Sequence, residues 1–227
     1  MAVRSPMPAA LTMPRPVPTR VQTVRAIVFA KAPLAGAVKT RLIPALGAQG
    51  AARLAQRMLL HTLRTALAAQ CAVIELCASP QPQDPVWQSM DLPANIALSA
   101  QGQGDLGERM ARAFKRGIGN QEAVLLMGTD CPELSPQAIA QAAQALHAHD
   151  AAIIPVADGG YVLLALRRFD PSLFIDMPWS TDVVAARTLE RIKALGWSVQ
   201  VLPALHDIDE PADLQWLPAA WSDALRV

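Results

Sequence analysis

Short apolar runs that alternate with helix-patterned stretches constrain this chain more than any other feature. Residues 24–30 (Val-Arg-Ala-Ile-Val-Phe-Ala), 71–78, 123–127, 151–156 and 161–166 have the length and composition of buried strands. Between them lie stretches with helical spacing. In residues 48–70, Leu54, Met58, Leu59, Leu63 and Leu67 recur at that spacing. Further helices are expected from Leu106, over 137–147 behind the Ser135-Pro136 start signal, and up to about residue 195, where Gly196 ends the last long one. Shorter strands are expected over 96–99 and 198–202, and a short final helix from Pro211. Residues 79–95 read as a Pro-rich surface loop carrying Trp87. The alternation predicts a three-layer α/β sandwich, with a mostly parallel central sheet covered by helices on both faces. Such sheets bind ligands at the carboxyl ends of their strands, where the strand order reverses, and that point is expected near residues 123–127.

Composition bounds the partners. A hydrophobic fraction of 52% suits a well-packed core. Residues 1–22, rich in Pro and Arg, read as a disordered leader, and residues 23–227 as one domain with no internal linker. Net charge is +1, from 20 basic and 19 acidic side chains, so no global field draws nucleic acid or anionic lipid. No apolar run approaches the ~20 residues of a membrane span. Three cysteines without metal-ligand spacing, an odd number, point to a reducing, cytoplasmic setting. His61 reads as a surface or satisfied histidine without chemistry.

The first strand runs into Lys31-Ala-Pro-Leu-Ala-Gly36-Ala-Val-Lys39-Thr40-Arg41-Leu42. Cations and a glycine after the first strand of such a sheet suit phosphate oxygens, although a solvated basic loop would look the same. The glycines of a Walker or dinucleotide loop are missing. Asp105, with Glu108 three residues on, reads as a capping box, and Gly104 would let a flat base approach the backbone. Gly128-Thr129-Asp130-Cys131-Pro132 sets one carboxylate at the end of the 123–127 strand. Asp158-Gly159-Gly160-Tyr161 is a sharp turn, either a plain hairpin or a place where a sugar-sized ligand touches backbone, with Tyr161 a candidate contact. Trp179-Ser180-Thr181 precedes a helix, with Ser180 or Thr181 as N-cap. Asp207 and Asp209 alternate around Ile208 and share one face. Asp209 is either a metal carboxylate or only the cap of the helix at Pro211. Together, the cationic loop, Asp130 and the late acidic pair supply what a nucleoside diphosphate and Mg²⁺ require, since that ion is often held by one or two carboxylates.

In six segments, 31–42, 104–110, 128–132, 158–161, 179–181 and 207–214, the chain resembles the DUF2064 family. These are bacterial glycosyltransferase-like proteins of the nucleotide-diphospho-sugar transferase superfamily. The resemblance covers about residues 24–217 and implies a single-domain GT-A (Rossmann-like) fold. It implies metal-dependent transfer of a sugar from a nucleotide-diphosphate donor to a small-molecule acceptor, with Mg²⁺ or Mn²⁺ as cofactor. By the same resemblance Asp130 and Asp158 are the candidate catalytic carboxylates, and Asp130 with Asp209 the metal ligands, Asp207 in reserve. Lys31, Gly36, Lys39, Arg41, Gly104 and Asp105 are the nucleotide contacts, and Gly159, Gly160, Tyr161, Trp179, Ser180 and Thr181 the substrate contacts. The segment around Asp130 departs from the Asp-x-Asp of many metal-dependent glycosyltransferases, which raises the weight on the late acidic pair. The alternative is nucleotidyl transfer: the first loop is also similar to that of 2-phospholactate guanylyltransferases, which implies guanylyl or cytidylyl transfer from a nucleoside triphosphate to a phosphorylated small molecule. A third reading is a non-catalytic sugar-nucleotide-binding module.

Overall fold

The computed structural model describes residues 23–221. The leader expected over residues 1–22 lies outside the described residues. Among the described residues seven strands form one sheet: β1 (Val24–Lys31), β2 (Val73–Ser79), β3 (Ala97–Ala100), β4 (Ala123–Met127), β5 (Ala151–Pro155), β6 (Tyr161–Leu166) and β7 (Val199–Val201). Their spatial order is β3-β2-β1-β4-β6-β5-β7. Only β6 runs against the others, pairing antiparallel with both β4 and β5. The expected α/β architecture with a mostly parallel sheet is the one found, and the order reverses between β1 and β4.

Among the described residues five α-helices cover the sheet: α1 (Ile43–Ala68), α2 (Pro85–Gln88), α3 (Leu106–Gly119), α4 (Pro136–Ala145) and α5 (Val184–Ala194). Gly47, at φ 67° and ψ 165°, breaks α1 near its start, so the unbroken helix begins at Ala48, the start expected from the sequence. Leu59, Leu63 and Ala66 of α1 and Ile139 and Ala142 of α4 pack on one face of the sheet. Met110 and Phe114 of α3 and Ala185 and Ile192 of α5 pack on the other. Asp105 and Glu108 form the expected capping box at α3, at 2.8 and 2.9 Å, and Ser135 caps α4.

Two local expectations are corrected. Trp87 is not on a surface loop: α2 carries it inward to 3% exposure, where its indole N–H donates to the Pro80 carbonyl at 3.0 Å. Neither Ser180 nor Thr181 caps α5. The N-cap position is Val183, and the Thr181 hydroxyl donates to the Pro178 carbonyl at 2.7 Å. Near the amino ends of the strands, Glu75 is buried at 2% exposure and matched by Arg25, Arg116 and the Ser99 hydroxyl. Two guanidiniums offset the cost of burying that carboxylate, a structural ion network at the end away from the acidic loops.

Candidate functional site

Because β1, β4, β5 and β7 run the same way, their carboxyl ends lie along one edge of the sheet. The chain after β7 passes along this edge. It bridges to Val156 through Leu205, and Ile208 then donates its backbone N–H to the Asp130 carbonyl at 2.8 Å. The Ile208 side chain is fully buried with Leu42, Leu46, Leu54 and Met58. Residues alternate in an extended segment, so anchoring Ile208 inward turns Asp207 and Asp209 to the other side.

Lys39 closes the arrangement. Its left-handed backbone (φ 48°, ψ 42°) ends the first loop just ahead of the 3₁₀ turn Thr40–Leu42. Its ammonium lies 2.6 Å from the Ile208 carbonyl, 2.7 Å from Asp130 Oδ1 and 2.7 Å from Asp209 Oδ1. The Lys39 side chain is 7% exposed, the Asp130 and Asp209 carboxylates 48% and 41%. The lysine therefore lies beneath a pair of carboxylates that face solvent. Burial alone would depress the Lys39 pKa, but Asp130 and Asp209 more than offset it and hold it above the ordinary lysine value.

Beside this cluster opens a cleft of about 310 Å³ lined by Arg41, Ala157, Asp158, His206, Asp207, Asp209, Glu210, Asp213 and Trp216. Five of those side chains are carboxylic acids. Arg41 is the one lysine or arginine in the lining, 3.7 Å from Glu210 and well exposed. Asp207 is half-buried. Burial, and then the negative charges of Asp158 and Asp209, push its carboxyl up to about 6. The His206 ring stacks on Trp216, with centroids 3.8 Å apart and planes at 9°. Glu133 holds that ring from behind, accepting from the His206 backbone N–H at 3.0 Å and lying 3.1 Å from Nδ1.

Of the residues singled out in the sequence, the fold brings Lys39, Asp130 and Asp209 into contact and sets Arg41, Asp158 and Asp207 around the adjoining cleft. The short final helix expected from Pro211 is the 3₁₀ helix Pro211–Trp216, and its N-cap position is Glu210, not Asp209. Asp213 reaches back to the N–H groups of Asp209 and Glu210, at 3.0 and 2.7 Å, leaving the Asp209 carboxylate to Lys39. Asp158 accepts from the Gly160 N–H at 2.9 Å, and Gly159, at φ 90°, backs onto the Asp182 carbonyl so closely that a Cβ would overlap it. Lys31, the last residue of β1, and Gly36 in the loop after it are exposed, with open space at Gly36 (φ 81°).

Other candidates fall elsewhere. Gly104 and Asp105 stay at the start of α3, the Gly104 carbonyl held by Arg109 at 2.8 Å. Tyr161 is turned inward: its hydroxyl is buried, has no hydrogen-bond partner among the described residues, and is pushed up in pKa by that burial. The neighbouring Thr188 hydroxyl donates to the Val184 carbonyl at 2.8 Å. Trp179 packs against the α3–α5 layer, and Ser180 and Thr181 are exposed beside it; none lines the cleft. Cys131 is buried, its thiol pushed up to about 12 by burial, and so unreactive. His61 is satisfied, 3.1 Å from the Pro132 carbonyl. Sequence reasoning missed Glu133, His206, Glu210, Asp213 and Trp216. The one available signal was a Trp and a His flanking the 207–213 acidic run.

Among the described residues no three His, Cys, Asp or Glu side chains gather into a ready-made cage for a metal. Asp130 and Asp209 nonetheless fit a hard divalent ion. Both offer oxygen, both are part-exposed, and they already share one cation, the Lys39 ammonium. No helix among the described residues is long and apolar enough to cross a membrane.

A protein from Desulfovibrio desulfuricans G20, provisionally assigned as a nucleotide-diphospho-sugar transferase, superposes with a TM-score of 0.80 at 31% identity, over 88% of each chain. The 4-diphosphocytidyl-2C-methyl-D-erythritol synthase of Anaerococcus prevotii superposes at 0.54 with 16% identity, over 89% of this chain and 100% of its own. Rv0371c of Mycobacterium tuberculosis, in complex with manganese, superposes at 0.50 with 17% identity, over 86% and 97%. The last two identities speak for the fold alone. No curated protein matches the chain. The family profile described as "Uncharacterized protein conserved in bacteria (DUF2064)" matches residues 62–181, and on that match and the Desulfovibrio likeness the chain belongs to the DUF2064 family, with the fold of the nucleotide-diphospho-sugar and nucleotidyl transferases.

Proposed function

We propose that this transferase moves a sugar from a nucleotide-diphosphate donor to an uncharged small-molecule acceptor, assisted by Mg²⁺ or Mn²⁺. The observation that carries the reading is the pairing of Lys39, Asp130 and Asp209 beside a cleft rich in carboxylates. Carboxylates accept hydrogen bonds from sugar or polyol hydroxyls, and the His206–Trp216 stack offers an aromatic edge for a sugar ring. A phosphorylated acceptor, as nucleotidyl transfer of the alternative kind needs, would meet five acids and a single arginine. That charge balance favours glycosyl transfer.

In this reading Lys39 and Arg41 neutralise the diphosphate, with Lys31 and Gly36 at the loop's outer side. Asp130 and Asp209 hold the ion, which stabilises the negative charge of the departing nucleoside diphosphate. Asp158 orients the acceptor hydroxyl. Rv0371c, which shares the fold, is known in complex with manganese, so Mn²⁺ stands beside Mg²⁺ among the ions to test.

Assays with nucleotide sugars and nucleoside triphosphates, with and without Mg²⁺ or Mn²⁺, test the reading. Release of nucleoside diphosphate with sugar transfer or hydrolysis is expected. Pyrophosphate release would establish nucleotidyl transfer instead, and metal-independent binding without turnover a binding module.

A further inference from the structure

Lys39 carries a contradiction within the proposed function. An ammonium has three N–H donors, and three oxygens already surround this one: the Ile208 carbonyl, Asp130 Oδ1 and Asp209 Oδ1, at 2.6, 2.7 and 2.7 Å. At 7% exposure the lysine has no route to a phosphate while it keeps all three. The carboxylates face the same conflict. A divalent ion arriving on their exposed oxygens would sit close to a fixed positive charge that has already neutralised part of the pair, and like charges at that range repel strongly.

We propose that Lys39 is the resident cation of the Asp130–Asp209 pair, so that the pair takes up a divalent ion together with a diphosphate and not alone. A diphosphate resolves both conflicts at once. Its charge attracts the ion to the carboxylates and gives the ammonium a second anion to hold. The inference rests on the metal assignment in the proposed function and adds an order of events to it.

The test measures Mn²⁺ binding to the purified protein by electron paramagnetic resonance, with manganese chloride alone and with inorganic pyrophosphate, a probe independent of base and sugar. Binding in excess of that by pyrophosphate in solution is counted. Wild-type protein is expected to bind Mn²⁺ at least tenfold more tightly when pyrophosphate is present. Lys39→Met is expected to bind free Mn²⁺ at least tenfold more tightly than wild type, and Lys39→Met/Asp130→Asn to lose that gain. Equal binding of free Mn²⁺ by wild type and by folded Lys39→Met overturns the role of Lys39 while leaving the metal site standing. Should Lys39→Met not fold, a wild-type affinity indifferent to pyrophosphate overturns it alone. Absence of Mn²⁺ binding in every form overturns the inference and the metal assignment together.

Discussion

The backbone N–H of Ile208 donates to the carbonyl of Asp130 across 2.8 Å, and that one bond joins two acidic segments far apart in the chain. The Ile208 side chain sits at 0% exposure in an apolar cluster, so the bond is held from behind by packing. Ile208→Ala removes three buried carbons and should cost about 2–5 kcal/mol of stability. It should also weaken nucleotide binding at temperatures where the protein stays folded, because the Asp209 carboxylate loses its fixed position. Urea unfolding and calorimetric titration on one sample check both effects. A stability loss with unchanged binding would show that the acidic segment keeps its place without the isoleucine.

Arg41 is well exposed and loosely paired with Glu210 at 3.7 Å. Folding gains little from such a contact. A charge-assisted contact to a phosphate, by contrast, is worth ~1.5–3 kcal/mol, or about tenfold or more in affinity. Arg41→Ala should therefore leave the melting temperature within a degree or two while nucleotide affinity falls by about tenfold. Unchanged affinity would make this part of the loop a solvated surface.

Asp207 supplies a pH signature. Its carboxyl is held at about 6 against an ordinary value of 3.8, mainly by burial and then by Asp158 and Asp209. The folded state therefore keeps its proton longer than the unfolded chain does. The resulting penalty is absent below pH 3.8, grows as pH rises towards 6, and is complete above that. Asp207→Asn should raise the melting temperature at pH 8 and change it little at pH 4. Equal shifts at both values would trace the effect to packing and not to charge.

Tyr161 was a candidate substrate contact, and the fold turns its hydroxyl into the α5 layer without a hydrogen-bond partner among the described residues. Leaving such a group unsatisfied costs about 1–3 kcal/mol. Tyr161→Phe should hold or raise the melting temperature and leave turnover intact. Thermal unfolding and a steady-state assay decide; a loss of turnover in a stable variant would restore the hydroxyl to the substrate.

The strands and helices were legible because period and punctuation agree: Leu54, Met58 and Leu63 mark a helix, and Ala123 to Met127 a fully buried strand. The candidate site was legible as residue types but not as an arrangement. Lys39 and Asp209 are 170 positions apart, and nothing local to either reports that an ammonium will lie beneath two carboxylates. Tyr161 misled because one residue beside a turn faces either layer, depending on the register of its strand. Asp158-Gly159-Gly160 was open between hairpin and ligand loop, and both features coincide: the turn joins β5 to β6 and its aspartate lines the cleft. Trp87 misled because four prolines between residues 80 and 93 suggested exposure, while a single turn of helix is enough to bury an indole.

The one reversed strand fixes where variety can arise. Since β6 doubles straight back beside β5, the Asp158 corner has no slack. Gly159 backs onto the Asp182 carbonyl, and its own carbonyl takes the Ala185 N–H at 2.9 Å. An added residue there would shift α5 and the pairing of two central strands together. Residues 33–38, in the loop after β1, have no such return strand, and their backbone bonds stay local, Ala37 donating to the Leu34 carbonyl at 3.0 Å. Relatives that have exchanged one substrate for another should differ in length along that loop, while the aspartate corner keeps the same number of residues.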